Sequence, residues 1–248
     1  MKIITVAVKK GGVGKTTTAT TLASGLARRG YRVLLVDTDP QAHAGTILGV
    51  KPQDQIWAAL ADNQIEPTMT GRTGLHILTS GQRTAWINTM GPTQHHLSAL
   101  REAILGSGWY DFAVIDTPPT PSWLVDAALY AADQVVAPIQ LAFLGSTSGE
   151  EFAQYVAAVR KAHNLAEVEI VFVPTMAEDT LSSGTALAGL RLAHNGSVST
   201  PITRAVVVDK ASRNQQSLHE YAPANQHDAR TLGRAVQEYD DLIARIDN

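Results

Sequence analysis

The chain has 248 residues, 44% of them apolar and 17% charged, with a formal net charge of −3. This is the balance of a folded globular domain, without the polarity of a disordered chain or the excess of basic residues of a protein devoted to nucleic acid. It has no cysteine, which excludes a disulfide framework, a thiolate zinc site and a cysteine-held iron–sulfur cluster. No signal peptide is expected ahead of the first apolar run, and no later run approaches the roughly 20 residues of a membrane span, so the cytoplasm is the expected compartment. In chain order, strands are predicted at Ile3 to Val8, Arg32 to Val36, Leu75 to Leu78, Phe112 to Ile115, Gln134 to Ile139 and Glu169 to Val173, each followed by a stretch with helical spacing. Continuously apolar strands alternating with helices predict an α/β fold, a mostly parallel sheet covered by helices on both faces. No repeat, low-complexity tract or linker interrupts the pattern, so residues 1–248 are expected to form a single domain. A last helix, from about His227 to Ile246, places Leu232, Val236, Tyr239, Leu242, Ile243 and Ile246 on one stripe and reads as a packing helix.

Between the first strand and a helix reaching about Arg29 lies Lys9-Lys10-Gly11-Gly12-Val13-Gly14-Lys15-Thr16-Thr17. A Gly-rich turn opening a helix is an anion site, because backbone N–H groups converge there and the helix dipole favours negative charge. In such a phosphate loop Lys15 reaches the outer phosphates and the Thr16 hydroxyl ligates Mg²⁺. The general pattern begins with glycine where this chain has Lys9, and an additional lysine, Lys10, precedes the glycine pair.

Ligands of open α/β sheets sit at the carboxyl ends of the strands. Two apolar strands end there in acids: Val36-Asp37-Thr38-Asp39-Pro40-Gln41 and Val114-Ile115-Asp116-Thr117-Pro118-Pro119. A single strand-end Asp is commonly a turn or cap residue. Two of them accompanying a phosphate loop point to phosphoryl chemistry, which works by positioning and electrostatics.

The string Lys10 to Thr17 resembles the deviant Walker A signature of the ParA/MinD superfamily. The blocks Tyr110 to Asp116, Ala131 to Gln140 and Val173 to Met176 resemble further segments of ParA-type proteins, so the likeness runs over nearly the whole chain. The resemblance implies a P-loop ATPase that hydrolyses ATP with Mg²⁺ and forms a nucleotide-sandwich homodimer, Lys10 reaching the partner's phosphates. Asp116 is then the Walker B carboxylate. Asp37 borders the metal, Asp39 arranges the attacking water, and Thr117 to Pro121 is the segment that reports loss of the terminal phosphate. Base contacts are expected around Thr175 and Ile202, Thr203 and Arg204; Thr203 stands where the family has proline.

The same resemblance implies non-specific DNA binding in the ATP state, nucleoid association, and a small ParB-like or adaptor protein that stimulates hydrolysis. Between Gly189 and Arg234 six Arg and Lys face three Asp and Glu, so that stretch carries +3 and the remainder −6. The DNA contacts expected are Arg204, Lys210, Arg213, Arg230 and Arg234, which would bind phosphate in a salt-dependent way; a solvated charged face is the alternative. A membrane-surface switch like MinD is the competing function, disfavoured by the acidic ending Asp240-Asp241-Leu242-Ile243-Ala244-Arg245-Ile246-Asp247-Asn248. No N-terminal helix-turn-helix is expected ahead of the first strand, and the cargo stays open. His43, His76, His95, His96, His194, His219 and His227 lack metal-ligand spacing and are expected at the surface or in caps. Trp57, Trp86, Trp109 and Trp123 are expected in core or interface packing.

Overall fold

The computed structural model describes residues 1–63, 65–90, 97–141 and 145–247; His95 and His96 lie outside them. Along the chain come β1 (Lys2–Val6), α1 (Lys15–Arg28), β2 (Val33–Asp37), α2 (His43–Ile47), α3 (Gln55–Asp62), β3 (Thr68–Arg72), β4 (Leu75–Leu78), α4 (Gln82–Met90) and α5 (Ser98–Gly106). They are followed by β5 (Phe112–Asp116), α6 (Trp123–Ala131), β6 (Gln134–Gln140), α7 (Gly145–Ala162), β7 (Glu169–Thr175), α8 (Leu181–Ala193), α9 (Val206–Arg213) and α10 (Gln226–Asp247). The seven strands form one sheet in the order β3-β4-β2-β5-β1-β6-β7. Every pairing is parallel except β3 with β4. The result is a single α/β domain with the P-loop NTPase architecture.

Side-chain alternation along the strands builds a layer on each face. Ile4, Val6, Val33, Leu35 and Val114 meet Leu22 and Leu26 of α1 and Leu242, Ile243 and Ile246 of α10. Ile3, Leu34, Val36, Ala113 and Ile115 point the other way, toward Ile56, Leu100, Ile104 and Leu124. Phe172, Val135 and Ala137 continue that second layer under Phe152, Val156 and Leu190 of α7 and α8. Strands buried on both faces have few polar positions to alternate with, which is why they read as near-continuous apolar runs. The stripe on α10 packs as its spacing predicts, with Val236 only partly covered.

Beyond shifts of one or two residues at strand ends, as in β1, which ends at Val6 rather than Val8, and β7, which runs to Thr175, three features differ from the sequence expectations. The antiparallel edge strand β3, Thr-Met-Thr-Gly-Arg, carries too few apolar residues to stand out, and its register shifts between Met69 and Arg72. Some histidines pack inward: His194 stacks on Phe172 at 4.1 Å, the His219 side chain is 2% exposed and bonds Asp240 at 3.0 Å, and His76 bonds the Tyr110 hydroxyl at 2.9 Å. An imidazole with an aromatic or carboxylate neighbour can be buried without a metal. Trp57 and Trp123 join the core, whereas Trp86 is 61% exposed and Trp109, 43% exposed, stacks on His76.

The sheet brings the site together. From β1 the chain goes out to β2, returns through β5 beside β1, and then crosses to β6 on β1's other flank. This reversal leaves a crevice at the carboxyl end of β1, where the phosphate loop, Asp37 and Asp116 converge.

Candidate functional site

Beyond β1 the loop turns through Gly12 at φ 71° and Gly14 at φ 93°, a left-handed conformation that strains any residue with a β-carbon. Gly14 also occupies the N-cap of α1 and offers no side-chain cap, so the first-turn N–H groups are left for an external acceptor. Lys15, 6% exposed, donates from Nζ to the Lys10 carbonyl at 2.7 Å. Burial lowers its pKa, and the charges of Asp116 and Asp39 pull in the opposite direction. The loop is fixed from two sides. The Thr175 hydroxyl at the end of β7 donates to the Val13 carbonyl at 2.9 Å, and Gly11 lies where a β-carbon would sit 3.6 Å from Pro119.

Asp37 and Asp116 are opposite each other on β2 and β5, and Asp116 is also level with Val6 on β1. Both are fully buried. Asp37 accepts N–H bonds from Asp39 (3.2 Å), Ala44 (3.0 Å) and Gly45 (3.2 Å), so it also anchors the start of α2. The Asp116 carboxylate has no hydrogen-bond partner on either oxygen among the described residues. Desolvation by burial pushes the carboxyl up to about 7, helped by the Asp39 charge and opposed by the nearby Thr16 hydroxyl, Lys15 and the Thr117 N–H, none of which makes a hydrogen bond of good geometry to it. Desolvation, and then the Asp116 charge, raise Asp37 well above the carboxylate range. Two buried acids on adjacent strands, one with unmatched oxygens and a threonine hydroxyl beside it, suit a divalent cation, which would supply the missing charge. Hydroxyls stitch these strand ends together: Thr38 donates to the Asp116 carbonyl (2.7 Å), Ser80 to the Asp37 carbonyl (2.7 Å) and Thr117 to the Val6 carbonyl (2.9 Å). Asp39 is 8% exposed; Oδ1 accepts from the Gln41 N–H at 3.0 Å, and Oδ2 has no hydrogen bond among the described residues.

Beside Gly14 and Thr17 opens a pocket of about 220 Å³, which Thr175, Ile202, Thr203 and Arg204 all line. Its wall runs along β7: Ile202 N–H bonds the Pro174 carbonyl at 2.7 Å and Arg204 N–H the Ala177 carbonyl at 3.0 Å. Thr203 donates to buried Glu238 twice, from its N–H and its hydroxyl, each at 2.7 Å. Tyr239, which bonds Thr18 at 3.3 Å, is expected from the sequence only as a packing residue of α10 but also lines this pocket, and Glu238 gives no signal because that helix is identified only by its apolar stripe. A roomier groove of about 590 Å³ lies at the far end of α7, by Arg160 and Asn164. Arg160 is spent there on the Leu129, Ala132 and Ala166 carbonyls, and no glycine loop or buried acid faces the groove.

The five candidate DNA-binding cations share one region but not one environment. Lys210 bonds Asp228 at 2.6 Å, Arg204 bonds Glu178 at 2.8 Å and Arg234 bonds Glu238 at 2.9 Å. Arg213 and Arg230 are exposed and make no ion pair among the described residues.

A family model described as an AAA domain matches residues 1–170. The chromosome-partitioning ATPase Soj of Thermus thermophilus is 44% identical over 140 residues, 55% of this chain and 54% of that protein. The sporulation initiation inhibitor protein Soj of Bacillus subtilis is 33% identical over 171 residues, 66% of this chain and 68% of that protein. The match thus spans about half the length of the Thermus relative and two thirds of the Bacillus one. Among solved structures, a Cyanothece McdA variant in complex with ATP has the same fold, with a TM-score of 0.81 over 96% of each chain at 20% identity. The chain belongs to this AAA-domain family, within the ParA/MinD/Soj superfamily of P-loop ATPases.

Proposed function

We propose that the chain is an ATP-dependent dimerising switch that hydrolyses ATP with Mg²⁺ and, in its ATP state, holds DNA non-specifically while a cargo is positioned or segregated. The observation that carries this reading is the fully buried, unpartnered carboxylate of Asp116 beside Thr16 and Lys15 at the mouth of a phosphate loop. Thr16, Asp116 and Asp37 would hold the cation, which supplies positive charge to the phosphates. Gly11 to Thr17 would wrap the phosphates with backbone N–H groups, and Lys15 would exchange the Lys10 carbonyl for a phosphate oxygen. Asp39, with one oxygen uncommitted, would orient the water that attacks the terminal phosphorus as the bond to ADP breaks. The pocket beside Thr175 and Ile202 to Arg204 would take the base.

Lys10 is exposed at the open face, in position to meet a second copy. A homodimer doubles the number of Arg213 and Arg230 side chains presented to a polyanion, and Arg204 can join them, because its pair with exposed Glu178 is a surface salt bridge worth only about 0–1 kcal/mol. Hydrolysis would be slow until a small ParB-like or adaptor partner binds. The proposed location is the cytoplasm, on the nucleoid. Among the described residues no helix is long and apolar enough to cross a membrane. The apolar stripe of α10 is buried against α1 and is not offered to a lipid surface.

The test is binding to random-sequence DNA with ADP, ATP and a slowly hydrolysed ATP analogue across a salt series. Salt-sensitive binding that requires ATP or the analogue is expected. Equal binding with ADP, or none in any state, would overturn the DNA-tethered reading.

A further inference from the structure

Lys9 stands where the general phosphate-loop pattern has glycine, and the nucleotide-binding role gives it nothing to do. Its ammonium lies over the Tyr155 ring, 4.0 Å from the centroid, well inside the roughly 6 Å range of a cation–π contact. Tyr155, on α7, donates its hydroxyl to Asp126 Oδ1 on α6. The ring face is therefore flanked by a cation, and its hydroxyl is held by a carboxylate on the helix that follows Thr117 to Pro121. Burial and the Asp126 contact both raise the tyrosine pKa, so the hydroxyl stays a donor throughout the physiological range.

The neighbouring residue gives this contact a purpose. Among the described residues, two side-chain interactions hold the entry to the loop: Lys9 on Tyr155 from outside, and Lys15 on the Lys10 carbonyl from inside. Lys15 must leave that carbonyl to reach a phosphate. From then on Lys9 is the side chain that still ties residues 9 and 10 to the body of the domain, at the moment when Lys10 has to reach a second copy.

We propose that Lys9 and Tyr155 form a positioning pair that fixes the backbone beneath Lys10 for dimerisation. The inference rests on the ATP-dimer reading above. Ordering Lys10 in advance lowers the entropy lost when the dimer forms, whereas nucleotide binding by one subunit is untouched.

The experiment measures the dimerisation constant with ATPγS by analytical ultracentrifugation, and the affinity of the monomer for ADP, in Lys9→Met, Lys9→Arg, Tyr155→Leu and the Lys9→Met/Tyr155→Leu double variant. Lys9→Met and Tyr155→Leu should each weaken dimerisation about two- to fivefold. ADP affinity should stay within about twofold of wild type, and the double variant should be no weaker than the worse single one. Lys9→Arg, which keeps a cation over the ring, should recover wild-type dimerisation. If Lys9→Met dimerises like wild type, if arginine fails to rescue, or if the two losses add in full, the positioning pair is wrong while the ATP-dimer reading stands. If wild type itself stays monomeric with ATPγS, the ATP-dimer reading falls and takes the pair with it.

Discussion

Asp116 and Lys210 are both ionisable side chains at proposed phosphate-binding places, the nucleotide's and DNA's, yet the fold treats them oppositely. Asp116 is fully buried with neither oxygen bonded, and burial drives its pKa up to about 7. Lys210 is half in solvent and closed onto Asp228 at 2.6 Å, a pairing that raises the lysine pKa and lowers that of the acid. A buried carboxylate without partners costs stability, and such a cost persists where a ligand offsets it. A surface cation with a partner costs little either way, so its presence says little about a ligand. The strand ends are therefore informative about chemistry, and the face of α9 and α10 only about charge.

Substitutions can break or sharpen that contrast. The largest effect belongs to Lys15→Ala, which should weaken nucleotide binding by at least about 100-fold, since a buried cation facing phosphate is worth several kcal/mol; a fluorescent-nucleotide titration checks it. Asp39→Ala should leave binding within a few-fold and slow turnover about 10²-fold or more, as expected for a group that positions the water. Steady-state phosphate release equal to wild type would remove Asp39 from that role.

Asp116→Asn should abolish Mg²⁺-dependent turnover and yet stabilise the nucleotide-free protein by roughly 1–4 kcal/mol, read as a rise of at least about 2 °C in melting temperature. The sign follows from the raised pKa. An acid that holds its proton more tightly when folded contributes most below its unfolded value of 3.8, and that contribution is lost as pH rises through the folded value of about 7. With chelator and no nucleotide, wild type should therefore melt lower at pH 8 than at pH 5, and Asp116→Asn should shrink the difference without abolishing it, because burial raises Asp37 as well. Thr203→Pro restores the residue type of the resembling family but removes two of the three donors to Glu238, leaving Arg234, and should cost about 1–3 kcal/mol in urea unfolding. Arg213→Ala and Arg230→Ala should each lower the slope of log affinity for DNA against log salt by about one unit, with Lys210→Ala lowering it less.

What was legible in the sequence follows the same division. The six parallel strands announced themselves because burial on both faces admits few polar residues, and the glycines of the phosphate loop because their conformation admits little else. The ends blurred: β5 runs one residue further, to Asp116, because the pairing with Val6 continues past the last apolar side chain. The edge strand β3, half exposed, could carry Thr, Met and Arg and left no pattern. Glu238 was out of reach for another reason: 35 residues separate it from Thr203, and only the packing of α10 brings them together. The pairing of Lys210, Arg204 and Arg234 with acids was equally illegible, since local charge counts record numbers and not partners.

The segment from Ser197 to Arg204 has a second consequence. It runs beside β7, exchanging main-chain bonds at Phe172, Pro174 and Ala177, and so covers the outer edge of the last strand. An uncovered parallel edge is a template for a strand from another molecule. The wall of the proposed base pocket is thus also the seal on the sheet, and a substitution that freed it should show first as aggregation, before any loss of affinity. Changes that reshape this pocket are confined to side chains, because its backbone is already committed to keeping the molecule from polymerising.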